Sequence, residues 1–290
     1  MKLLRSTALA VMMGASHQVL AQEDAVILPT IEDIAPSEGY GANPPDILGV
    51  PFGTPRDEAI ALFEAAIPGL DLETYATEYT LRDTRGNAVK FAYTYGAEGG
   101  VGQATTEHII LRFTSDATGG RLWKIERTIR YPNGQQASME ALRQSIAEKY
   151  GRATLVELYP HQNRDEITYT WEKRPIDYFP DQDVSKRGFA GTNPVNINPC
   201  LLLVDHGRYA EPYDFKEPGI RKGNPGWDVC IGGIQFIIFY GSNANTVREL
   251  KIVASDYARQ MHDARTLDQM LSDMLDQKAN GVTGEGAPQL

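Results

Sequence analysis

Residues 49–69 read GVPFGTPRDEAIALFEAAIPG, and residues 134–151 read GQQASMEALRQSIAEKYG. Each stretch is a capped amphipathic helix with strand-like sequence behind it, and that recurrence restricts the fold more than any other feature. In the first, Thr54 is placed to be the N-cap, Pro55 takes the first helical position, and Asp57 falls where an acid favours the positive end of the helix dipole. Ile60, Phe63 and Ile67 recur at three and four residues as one apolar stripe, and Pro68-Gly69 ends the helix. In the second, Ser138 caps and Met139, Leu142, Ile146 and Tyr150 form the stripe. Lys149 lies in its last turn, and Gly151 supplies a position that needs positive φ.

Behind the first helix Val89, Phe91, Tyr93 and Tyr95 alternate with smaller or polar residues. So do Ile109, Leu111 and Phe113, and then Trp123, Ile125, Ile129 and Tyr131. Period-two alternation marks strands with one buried and one wet face, and TRGN (84–87) and SDATGG (115–120) supply turns between them. Behind the second helix come TLVELY (154–159), EITYTW (166–171), CLLLVD (200–205), IQFIIFY (234–240) and TVRELKIVAS (246–255). The expected fold class is therefore α+β: two tandem helix-plus-antiparallel-sheet units, with sheets of about four and five strands. A C-terminal helix follows, its buried face drawn from Tyr257, Met261, Ala264, Met270, Leu271, Met274 and Leu275, and Thr266 is placed to cap a second segment of it.

The first 21 residues have a basic start at Lys2 and Arg5, an apolar run, and Val19-Leu20-Ala21 before Gln22, which is the pattern of a secretory signal without a lipidated cysteine. No other run approaches the roughly 18 apolar residues of a membrane span, so a periplasmic or secreted location is expected. Loss of residues 1–21 leaves 26 basic and 38 acidic side chains, a net charge near −12. That balance argues against nucleic acid and against an anionic membrane surface as partners. Cys200 and Cys230 are the two cysteines, and export makes a disulfide the default. Closing a loop of that size stabilises by about 3.6 kcal/mol on the loop-entropy estimate. The competing reading is a Cys nucleophile with His206 as base, which nothing local supports.

The expected organisation is a signal peptide over 1–21 and an acidic, proline-punctuated arm over 22–45. A first α+β unit spans 46–132, a second spans 133–280 with long loops and the C-terminal helix, and a disordered tail covers 281–290. Within the arm, AVILPTI (25–31) is a candidate for pairing with a sheet edge. Two loops of the second unit, approximately 174–199 and 206–228, exceed the ordinary length and are rich in aromatics. Tyr178, Phe179, Phe189, Tyr209, Tyr213, Phe215 and Trp227 are the candidate binding residues, since rigidly held aromatics bury much area at low entropy cost. The alternative is that these rings cover the sheet as satellite core.

No catalytic, cofactor or metal site is assigned. His108, His161, His206 and His262 lack the spacing of a zinc site, with His108 expected on the wet face of its strand. No nucleophile elbow, phosphate loop, H-E-x-x-H or dinucleotide fingerprint occurs. Asp181 and Asp183 lack the glycine and distal glutamate of a calcium loop. Glu157, Glu166 and Glu172 are placed to flank one another across paired strands, as a carboxylate pair or as ordinary charge partners of Arg164 and Lys173. Arg127 breaks the apolar register of its strand and calls for a rim position or an intramolecular carboxylate.

The run ILGVPFGTPRDEAIALFEA resembles the opening of modules in the SmpA/OmlA outer-membrane lipoprotein family. There a short glycine-bounded run enters a helix ahead of a small antiparallel sheet. The tandem arrangement is similar to that of beta-lactamase inhibitory protein. The resemblance covers about twenty residues of the first unit, and only the capped helix and its terminal KYG in the second. The chain departs from it in lacking a lipidated cysteine, in its long loops and in its C-terminal helix. The resemblance implies an exported protein that acts by binding another envelope protein, as an inhibitor or an assembly factor. The alternative expectation is a small hydrolase of an envelope polymer, with a carboxylate pair between the two units.

Overall fold

The structure, a computed structural model, describes residues 45–82, 86–102, 106–172, 200, 230–241 and 245–280. The expected signal peptide, residues 22–44 of the arm, both aromatic loops, strand residues 201–205 and the tail lie outside these residues. So do Tyr178, Phe179, Phe189, Tyr209, Tyr213, Phe215 and Trp227.

A hairpin of β1 (Asp46–Ile47) and β2 (Val50–Pro51) leads into α1 (Arg56–Ala66), followed by β3 (Glu73–Arg82), β4 (Ala88–Val101) and β5 (Glu107–Phe113). A 3-10 turn, η1 (Asp116–Thr118), precedes β6 (Leu122–Arg130). The chain continues through β7 (Ala137–Ser138), α2 (Met139–Tyr150), β8 (Leu155–Tyr159), η2 (Pro160–Gln162) and β9 (Arg164–Glu172). After them come β10 (Cys230–Tyr240), β11 (Thr246–Asp256) and α3 (Tyr257–Ala279). No described helix is long and apolar enough to cross a membrane.

The α+β class holds, but the two sheets expected are one. Strands run in the order β3-β4-β5-β6-β11-β10-β9-β8, all antiparallel, with β7 also paired to β11. The seam is β6 against β11, seven residue pairs from Glu249↔Arg130 to Ser255↔Lys124. The cause is in the side chains. Ile125 and Ile129 of β6 lie opposite Ala254 and Leu250 of β11, so apolar faces continue across the seam and neither strand remains an unpaired edge.

Alternation gives this sheet two unlike faces. On one, Phe63 of α1 and Met139 and Ile146 of α2 join Ile109, Ile125, Ile234 and Ile252 in a single core. The other face receives α3, where Leu267, Leu271 and Leu275 pack on Leu81, Val89 and Phe91. A register shift between Thr77 and Glu78 explains how β4 serves both: Val89 and Phe91 face α3, whereas Tyr95 and Ala97 join the α1 side. A second shift at Arg112/Phe113 puts Leu122 rather than Trp123 opposite Phe113. Trp123 therefore leaves the register expected for it and packs with Tyr257, Met261 and the Cys200–Cys230 disulfide, whose Cα atoms are 5.2 Å apart.

The caps also differ from expectation in one helix. Ser138 caps α2, accepting from the Ala141 amide at 3.4 Å. At α1 the N-cap is Pro55, because the Thr54 hydroxyl donates back to the Pro51 carbonyl at 2.8 Å. The first amide of α1, Arg56, is satisfied instead by the Gly120 carbonyl at 3.0 Å. Thr266 does not divide the last helix; α3 runs unbroken, and Leu267 beside it is fully buried.

Candidate functional site

The α3 side of the sheet, beyond the reach of that helix, is a polar and aromatic face built by every second residue of the strands, partly buried, with Lys124, Gln235 and Glu166 among its buried members. Its centre spans three strands. Gly96 of β4 lies opposite both Tyr75 of β3 and Arg112 of β5. The absent side chain matters, since a Cβ at Gly96 would run into the Tyr75 ring. Arg112 donates from Nη1 to the Tyr75 hydroxyl at 3.0 Å, with its guanidinium 5.9 Å from the ring centroid. Burial raises the Tyr75 pKa, against the pull of Arg112, so the phenol is neutral across the ordinary pH range.

Beside this unit runs a charge ladder. Glu126 sits 2.8 Å from Lys124 and 3.7 Å from Lys251. Burial opposes the Glu126 charge, but Lys124, with Lys251 and Arg112, overcomes it and holds the carboxyl below its usual value. His108 Nε2 lies 3.0 Å from Glu98, on the wet face expected for it. Ile110, Ile237 and Phe239 are half-buried among these charges. Arg127, on the opposite face, meets Glu107 at 2.5 Å; its departure from the apolar register is explained by an internal carboxylate.

Of the three glutamates singled out, the structure brings two together. Glu157 of β8 and Glu166 of β9 are directly opposite, whereas Glu172 lies six residues further along β9, about 20 Å away at strand rise. Glu166 is buried and engaged: it lies 2.8 Å from Arg164 and accepts from Gln235 Nε2 at 3.1 Å. Arg164 in turn stacks over Tyr159, 4.6 Å from the ring centroid. A second buried carboxylate, Asp165, contacts Arg143 of α2 and the Tyr240 hydroxyl, whose pKa is pushed up to about 12 by burial and by Asp165. This cluster ties α2 to the sheet. Among the described residues no group of three His, Cys, Asp or Glu is arranged to hold a metal ion.

Tyr75 and Arg112 were not singled out by sequence reasoning. The signal lay in ETYATEYTLR (73–82), where Tyr75, Tyr79 and Leu81 keep one parity within an otherwise polar stretch. Comparison with protein-family models, with curated proteins and with solved structures finds no match to this chain.

Proposed function

We propose that this chain is an exported, non-catalytic protein-binding module. It uses the sheet face that carries Tyr75 and Arg112, together with the aromatic loops named above, to hold another protein of the cell envelope as an inhibitor or assembly factor. The observation that carries this reading is the Tyr75–Gly96–Arg112 unit. An aromatic ring and a guanidinium are preset on a rigid strand platform and ringed by charges, and Tyr and Arg are the residues most enriched at binding hot spots. Two features support the tandem-repeat part of the reading. The element order α1-β3-β4-β5-β6 recurs as α2-β8-β9-β10-β11, and the strand order is mirrored about the β6–β11 seam. The buried Cys200–Cys230 disulfide supports an oxidising compartment.

The test is capture from envelope extract with residues 22–290, beside a Tyr75→Ala, Arg112→Ala variant and a Leu62→Ala control on the exposed side of α1. Loss of the captured partner by at least tenfold in the first variant alone supports the reading. Equal capture by all three removes the sheet face from consideration.

A further inference from the structure

Between α2 and β8 the structure forms a groove of about 420 Å3, walled by Ala147, Ala153, Val156, Leu158, Ile167 and Tyr169. Val156 and Leu158 are 52% and 60% exposed, although both are large and apolar. They belong to the last strand of the sheet, and among the described residues no strand pairs with its outer side. An edge of this kind is a ready template for a further strand.

Two features say what chemistry it takes. Arg143 and Arg152 line the same groove, and Arg143 keeps 42% of its side chain exposed while touching Asp165. Asp46, the first residue of β1, is held by the end of α2. The Asp46 carbonyl accepts from Lys149 Nζ at 3.2 Å and from the Tyr150 hydroxyl at 2.9 Å, immediately before Gly151 and Arg152 of the groove wall. Asp46 is therefore held by the two residues that precede Gly151 in the chain. In the stretch before Asp46 the sequence AVILPTI (25–31) is flanked by Glu23 and Asp24 on one side and by Glu32 and Asp33 on the other.

We propose that this groove and edge strand are the docking site for segment 25–31 of the same chain, added to β8 in extended form. The 14 residues between Ile31 and Asp46 reach about 45 Å when extended. Strand addition supplies main-chain hydrogen bonds, and alternate apolar side chains meet the groove. The flanking carboxylates complement Arg143 and Arg152. Pro29 is compatible, since an outermost strand needs donors on one side only. This inference is independent of the binding function proposed above.

Hydrogen exchange on the full chain tests it, comparing the native sequence with a Val26→Asp, Leu28→Asp variant at two protein concentrations. The expected result is that amides of Leu155–Tyr159 directed away from β9 exchange at least tenfold faster in the variant, with β5 amides unchanged as the folding control. Equal rates in the two proteins overturn the proposal. So does protection of β8 that falls on dilution, which would assign the edge to a second copy.

Discussion

Gly53 shows how much one residue carries. Its φ is 86°, and a Cβ there would lie 2.7 Å from an Arg259 Nη atom, within a guanidinium that is 3% exposed and bonded to Asp256 at 3.3 Å. Gly53→Ala is expected to cost about 2 kcal/mol, read as a lower urea midpoint with an unchanged slope. Asp263 makes a different kind of contribution. Buried on α3, it accepts from the Ser115 amide and from the hydroxyls of Ser115 and Thr118. Burial pushes its pKa up to about 6, and those bonds only partly offset the rise. A carboxyl raised from about 4 binds more protons folded than unfolded, so its share of stability is present at low pH and lost as pH climbs from about 4 to 6, about 3 kcal/mol in all. Thermal unfolding of Asp263→Asn across that window should lack this slope. A native protein whose melting profile runs parallel to that of the variant would contradict the assignment. Arg127 was legible beforehand because an arginine in an apolar register demands a carboxylate, and Glu107 provides it. Thr54 was misread because its hydroxyl had two outlets, the helix it precedes and the hairpin it ends, and the local pattern does not rank them.

At the level of elements, helices were the most legible and strand faces the least. The stripe of α3 was visible in its spacing, and Leu267, missing from it, is wholly buried against Leu81, Val89 and Phe91. Leu267→Ala is expected to cost about 2–5 kcal/mol and to free α3 first, seen as accelerated exchange of its amides ahead of those of β5. β3 escaped notice because it is an edge strand with most of its residues exposed, so its alternation is weak. The two register shifts were equally hidden: a bulge turns a strand's faces over without any change in the pattern that precedes it. Trp123 is the consequence, a residue of correct polarity read on the wrong face. The unit of Tyr75 and Arg112 was illegible for the same reason, since it depends on β4 changing faces before Gly96.

For the whole molecule, the seam between β6 and β11 decides behaviour. Residues from both halves of the chain share one core, so unfolding monitored by calorimetry is expected to show a single transition with matching calorimetric and van't Hoff enthalpies. Two resolved transitions would mean that the halves are separate units after all. The recurrence of helix and strands in the sequence was readable, but the joining was not, because pairing between residues 124–130 and 249–255 is a long-range event with no local signature. That same pairing sets an order of events during synthesis. β11 sits at the middle of the sheet yet is the last of the described strands to leave the ribosome, so β6 must wait, unpaired on one side, until residue 256 has emerged. A polypeptide halted anywhere before that point holds a half-sheet with a sticky border. Pairing of β11 thus completes the middle of the described sheet rather than its rim.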